Sequence, residues 1–248
     1  DFGMFSKSQI KLITSLAQKK YRGQHNLFVA EGKKVIFELL QSSFLLEALY
    51  TTEDIFNAEK ENTFLIKDTD LKKISQLKTP QTALGVFHIP QQSILGASGL
   101  RLALDGVRDP GNLGAIIRLC DWFGVEQLIC SHDSVDCYNP KVVQASMGSI
   151  ARVSVVYTDL ADFIKSKSSE MVLGAFMEGA NVYSSQLPSE GILVMGNEAN
   201  GISKEIEGLI SQKISIPQFG KLKETESLNV ATATAILLSE FRRTSYKG

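Results

Sequence analysis

The chain is poor in cysteine and histidine, has no long apolar run and carries almost no net charge. Three cysteines, Cys120, Cys130 and Cys137, form no Cys-x-x-Cys pair. They give neither a disulfide framework nor a thiolate zinc site, and read as reduced thiols of a cytoplasmic protein. His25, His88 and His132 are scattered without ligand spacing, so no metal is expected. No apolar stretch approaches the roughly 18–20 residues that cross a bilayer, which excludes a helical membrane protein. The first residues lack the basic, apolar and small-residue regions of a signal peptide, and 1–3, ahead of Met4, read as an added remnant. A net charge of −1 argues against a globally basic nucleic-acid binder. There is no Gly-x-Gly-x-x-Gly dinucleotide fingerprint and no glycine-rich loop ending in Gly-Lys-Ser/Thr, which removes the commonest dehydrogenase and NTPase readings.

What is present is ordinary globular composition, 44% hydrophobic and 21% charged over 248 residues, enough for one large domain or two smaller ones. Charge is unevenly placed. Lys7, Lys11, Lys19, Lys20, Arg22, Lys33 and Lys34 face a single acid in that stretch, Glu31. Such a run is either a solvated helix face followed by a loop or a patch that attracts phosphates.

Two halves are visible. In the first, apolar positions at Ile10, Ile13, Leu16 and Ala17 predict a helix over 8–18. A strand is expected at 26–30, a helix from Val35 to Leu40, a strand at 45–50, a short helix at 52–57, a strand at 63–66, a helix at 68–77 and a strand at 83–89. A Gly-, Ser- and Gln-rich stretch at 90–99 follows Ile89 and reads as a linker. The division is therefore 1–89, linker 90–99, and 100–248. The second half alternates regularly, with strands at 101–107, 126–130, 153–157, 171–176, 191–196 and 213–216. Helices are expected near 113–123, 140–149, 159–166, 203–210 and 229–243. Apolar strands in that alternation predict an α/β fold with a parallel sheet covered by helices.

Three segments of the second half share one signature, an apolar strand that stops at a polar loop before a helix. The first is Leu104-Asp105-Gly106-Val107-Arg108-Asp109-Pro110-Gly111-Asn112-Leu113-Gly114, with Arg118 one turn further on. Asp109-Pro110-Gly111 is a turn signal, and Asn112 is read as the cap of a helix from Leu113. Alone, Asn112 and Arg118 are equally a cap and a surface cation. The second is Ile192 to Met195 followed by Gly196-Asn197-Glu198-Ala199-Asn200-Gly201, where Glu198 is either a functional carboxylate or a cap for a helix near Ser203. The third is Ile214-Ser215-Ile216-Pro217, a charged loop, then Ser227-Leu228-Asn229-Val230. In an open α/β sheet, ligands bind at the carboxyl ends of strands.

In order, spacing and context these segments resemble the three motifs of the SpoU/TrmH family of RNA ribose 2′-O-methyltransferases, in the knotted SPOUT superfamily. The likeness covers about 100–243. The first half more loosely resembles the ribosomal-protein-like substrate-binding domain fused ahead of such enzymes, through Phe28-Val29-Ala30-Glu31-Gly32 and the apolar helix after it. One departure is the loop between Gly220 and Ser227, longer and more charged than the pattern.

The resemblance implies a deep trefoil knot in the C-terminal sheet, S-adenosyl-L-methionine as cofactor, and methyl transfer to a ribose 2′-hydroxyl. Ribosomal RNA is favoured over transfer RNA. A non-catalytic RNA-binding or ribosome-assembly protein keeping the knot is the alternative, disfavoured by retention of the motif residues. The implied catalytic set is Arg118, Asn112, Glu198, Ser227 and Asn229, with Glu198 pairing to Arg118. The implied cofactor contacts are Gly196, Ile216, Leu228 and, more weakly, Ala175. Lys19, Lys20 and Arg22 would bind RNA. The family also implies a homodimer, in which the small residues Ala231 to Ala235 of the last helix would take part.

Overall fold

The structure, a computed structural model, describes residues 5–94, 96, 99–222 and 227–246. Residues 1–3 and the centre of the long loop, 223–226, lie outside the described residues, as do three positions of the linker. In chain order the first elements are α1 (Lys7–Ser15), α2 (Lys19–His25), β1 (Leu27–Glu31), α3 (Lys33–Leu40), β2 (Leu46–Thr51), β3 (Thr63–Leu65), α4 (Asp68–Ile74) and β4 (Ala83–His88). There follow β5 (Leu100–Leu104), α5 (Pro110–Phe123), β6 (Gln127–Ser131), α6 (Pro140–Ala145), β7 (Ser154–Thr158), α7 (Leu160–Ser166), β8 (Val172–Asn181), β9 (Gly191–Met195), α8 (Lys204–Glu207), β10 (Gln212–Ser215) and α9 (Val230–Ser245).

Two compact units emerge. The first holds the described residues up to Gln91 together with Asp136–Arg152; the second holds Gln92–Val135 and the described residues from Val153. The sequence division puts 136–152 with the second half, but packing puts it with the first. The Tyr138 ring packs on Phe28 in a tilted arrangement, with centroids 4.6 Å apart, and α6 lies against β1. Asp136 accepts two hydrogen bonds from Arg22, at 2.9 and 2.7 Å.

The first unit is built on a four-stranded sheet in the order β1-β4-β2-β3, antiparallel except for the parallel β2–β3 pair. Ile13, Leu16, Val29, Tyr50, Ile74 and Leu84 fill its core. A capping box of Ser6 and Gln9 starts α1. The short helix expected at 52–57 does not form. Thr51 Oγ1 donates to the Glu53 carbonyl and accepts from the Glu53 amide, a local turn that competes with helix. A 3-10 turn at Lys60–Asn62 follows instead.

The second unit is a six-stranded sheet in the order β10-β8-β9-β5-β6-β7, with every pair parallel, flanked by helices as the strand pattern predicts. The central strands β5, β6 and β9 are buried along their whole length, which explains their nearly unbroken apolar sequence. Leu104 of β5 pairs with Met195 of β9 and with Cys130 of β6. The loops that leave these three strands therefore start side by side. All three cysteines are buried, free thiols. Among the described residues, no helix is long and apolar enough to cross a membrane.

Candidate active site

At the carboxyl end of β5 the chain turns through Gly106 (φ +72°) into α5. The helix starts at Pro110, and its cap is Asp109, whose carboxylate accepts from the Asn112 amide at 2.8 Å. This corrects the expectation that Asn112 caps a helix from Leu113. Asp is as good a cap as Asn, and Pro is favoured in the first helical position, so Asp109-Pro110 wins. The consequence is chemical. Asn112 now sits inside the first turn with its side-chain amide free for other loops.

The β9 loop closes tightly. Asn197 and Gly201 exchange reciprocal backbone hydrogen bonds, each 2.9 Å. A side chain on Gly196 would place its Cβ 2.2 Å from the Gly201 carbonyl carbon, so glycine is a steric requirement of the turn. The Asn197 amide nitrogen donates to the Gly106 carbonyl at 2.6 Å and ties this loop to the β5 loop. Its oxygen accepts from the Ala199 and Asn200 amides. Glu198 is thereby presented to the start of α5. It accepts from the Asp109 amide at 3.3 Å and from the Asn112 side-chain nitrogen at 3.2 Å. A carboxylate there is favoured by the helix dipole.

Glu198 is not the cap of α8; that role belongs to Ser203, through the Ile206 amide. Nor does it pair with Arg118. Arg118 is exposed and, among the described residues, has no hydrogen-bond or ion-pair partner. At about 100° per residue, six positions turn Arg118 some 240° around α5 from Asn112, onto a different face.

The third segment completes a chain of contacts. Asn229 caps α9 by accepting from the Ala231 and Thr232 amides at 2.9 and 3.1 Å. Its side-chain nitrogen donates to the Asn112 oxygen at 2.9 Å. Asn112 in the first turn of α5, Glu198 in the β9 loop and Asn229 at the cap of α9 thus form one hydrogen-bonded series. Ser227 is exposed and without a partner among the described residues, Leu228 is half-exposed, Ile216 lies just beyond β10, and Ala175 is half-buried on β8.

One group at this end escaped sequence reasoning. Asp133 accepts from Ser131 Oγ at 2.7 Å and pairs with Arg108 at 2.9 Å, while Ser131 accepts from the Gly106 amide at 2.8 Å. These bonds, Ser131 first and Arg108 second, hold the Asp133 carboxyl below the usual range. The only sequence signal was a Ser-x-Asp directly after an apolar strand.

Of the three cations assigned to RNA, Lys19 and Lys20 are exposed at the start of α2. Arg22 is a correction. It is 2% exposed, and besides Asp136 its Nη1 donates to the carbonyls of Leu16 and Ala17 at the end of α1, at 3.0 and 2.9 Å. A buried guanidinium so fully engaged is not available to a phosphate.

Residues 99–239 match the SpoU rRNA Methylase family model, and residues 7–85 match the MRM3-like substrate binding domain. The chain is 28% identical over 241 residues to the 23S rRNA (guanosine(2553)-2′-O)-methyltransferase RlmP of Bacillus subtilis, covering 94% of this chain and 96% of that protein. A TrmH-family protein from Porphyromonas gingivalis superposes with a TM-score of 0.90 at 39% identity, over 97% of this chain and 99% of that one. An AdoMet-bound rRNA methyltransferase from Sinorhizobium meliloti superposes with a TM-score of 0.87 at 28% identity, over 98% of both. The motif loops meet where that family model runs its length, and the chain belongs to the SpoU rRNA methylase family.

Proposed function

We propose that the protein transfers a methyl group from S-adenosylmethionine to a ribose 2′-hydroxyl of RNA, with ribosomal RNA favoured over transfer RNA. The observation that carries this reading is the series Glu198–Asn112–Asn229, which joins three segments at the carboxyl end of a parallel sheet on the helix that also bears an unengaged arginine. The named relatives carry the same activity in their names or bind AdoMet.

The residues present fit the cofactor. Gly196, half-buried just past β9, would offer backbone groups, and the half-exposed Leu228 with Ile216 would offer apolar surface for a purine. Ala175 would lie nearby. When bound, the cofactor supplies a methyl carbon already activated by its sulfonium. The task left to the protein is alignment, together with help in removing the hydroxyl proton.

Arg118 is assigned to the second task. A guanidinium stays protonated, so it stabilises the developing alkoxide while the proton passes to an RNA phosphate. Asn112, Glu198, Ser227 and Asn229 position the nucleotide, and Glu198 acts on Asn112 rather than on Arg118. Lys19 and Lys20 would hold RNA phosphates.

The reading includes the family's trefoil knot, a cytoplasmic location and a homodimer. Trp122 of α5 is 83% exposed and Tyr246, after α9, is 81% exposed, and α5 packs on α9; surface of that kind suits an interface. Light scattering should give twice the chain mass at micromolar protein, and an active monomer would remove the dimer. The chemistry is tested by single-turnover methylation with Arg118→Lys. The proposal expects a large loss, because a point charge does not replace a planar fork; an unchanged rate rejects the guanidinium role.

A further inference from the structure

The first unit contains a cavity of about 340 Å³ that the methyl-transfer reading does not use. Val29, Leu77 and Pro140 form apolar walls; Glu31, Gln76 and Gln144 supply polar edges, and the exposed Lys141 stands at the rim. Its volume is at the small end of ligand sites. Every lining residue belongs to the first unit.

Glu31 is the unusual member. It ends β1 and is only 6% exposed, yet among the described residues no cation neutralises it. Ser75 Oγ donates to one carboxylate oxygen at 2.5 Å and the Gln76 amide to the other at 2.8 Å. A carboxylate accepts about four hydrogen bonds, so each oxygen keeps one acceptor site. Two parallel acceptors call for a ligand with two adjacent N–H donors on a flat apolar body. Among the nucleobases only guanine offers that, through N1–H and the N2 amino group. Adenine, cytosine and uracil each set an acceptor beside their donor, which a carboxylate repels. Hydrogen-bonding an unstacked base on its Watson–Crick edge is a common way proteins select single-stranded RNA; here Val29, Leu77 and Pro140 take the place of the stacking side chains.

We propose that this cavity is a recognition pocket for an unpaired guanine of the substrate RNA, with Glu31 reading its Watson–Crick edge, Gln76 and Gln144 supplementing it, and Lys141 near the flanking phosphate. The proposal rests on the RNA reading above and adds a specificity element to it; Glu31 and Gln76 lie within residues 7–85, which match a substrate-binding domain.

The test uses the full chain and three fluorescein-labelled pentanucleotides, UUGUU, UUIUU and UUAUU, in binding titrations by anisotropy. The expected order is guanine tightest, inosine about 3–10-fold weaker for want of the 2-amino group, and adenine at least about tenfold weaker, in line with the cost of a lost base-edge pair. Glu31→Gln should erase the guanine–inosine difference. Gln144→Leu, on a half-exposed position that leaves Glu31 and its partners intact, should weaken all three and serves if Glu31→Gln fails to fold. Equal binding of the three by the wild-type chain, or an unchanged preference in Glu31→Gln, overturns the pocket. Methyl transfer to ribosomal RNA by the same preparation is scored separately. Guanine preference without transfer rejects the methyltransferase reading and keeps the pocket, and transfer without base preference does the reverse.

Discussion

Arg22 in the first unit and Arg118 in the second sit on helices and end in opposite states. Arg22 is buried, with its donors taken by Asp136 and by two carbonyls that close α1. Arg118 is exposed and unengaged among the described residues, on a helix whose first turn is crowded with inter-loop hydrogen bonds. An arginine whose three nitrogens are all engaged holds a fold together, whereas one with free donors is available to a substrate. The same contrast separates Arg22 from Lys19 and Lys20, three and two residues away.

Breaking each side of that comparison should give different signatures. The largest effect is on stability. Arg22→Ala leaves Asp136 and two carbonyls without their partner and should cost about 3–5 kcal/mol, read as lost hydrogen-exchange protection in the first unit. A silent Arg22→Ala would mean the ion pair is dispensable. Next comes Arg118→Ala, expected to lower kcat about 10²–10³-fold with no change in the unfolding midpoint. A shifted midpoint would make Arg118 structural. Smaller is the paired change Lys19→Ala with Lys20→Ala. Stability should stay within about 0.5 kcal/mol, while the slope of log affinity for RNA against log salt should fall by about one per lysine. An unchanged slope removes both from the RNA surface.

The smallest effect concerns pH, and it has opposite signs in the two units. The Asp133 carboxyl is lowered by Ser131 and Arg108. Its contribution is present above the ordinary carboxylate range and is lost as pH falls through its folded value. Both partners of the ion pair are more than half exposed, so the contribution should stay below about 1 kcal/mol. Burial raises the Glu31 carboxyl, with the Ser75 and Gln76 hydrogen bonds opposing. Glu31 therefore favours the folded state fully below the unfolded carboxylate range, and that gain is lost as pH rises through its folded value. Asp133→Asn should flatten the acid limb of the second unit's stability, and Glu31→Gln should remove a rise on acidification in the first. Unaltered pH profiles in both variants would contradict the two assignments.

The parallel sheet was legible in the sequence because β5, β6 and β9 are buried on both faces and so read as continuous apolar runs. The motif loops were legible because glycine and proline punctuate them. Finer features were not. Asp109 and Asn112 are both competent caps, and only the structure shows that Asp109 takes the role and frees Asn112 for Glu198 and Asn229. Arg22 looks in sequence like its neighbours Lys19 and Lys20, because its partner lies 114 residues away. Asp133 carries no motif, since its role depends on β6 lying beside β5. Long-range partners of this kind leave no local periodicity to read.

Ribose methylation by the second unit's loops can be tested directly. Purified full-length chain should be incubated with unmodified ribosomal RNA and methyl-labelled S-adenosylmethionine, and the RNA then hydrolysed with alkali. Label should appear in an alkali-resistant dinucleotide, the mark of a 2′-O-methyl ribose, and be lost in Arg118→Ala. Label confined to mononucleotides, which would place the methyl on a base, or no label above background would contradict it.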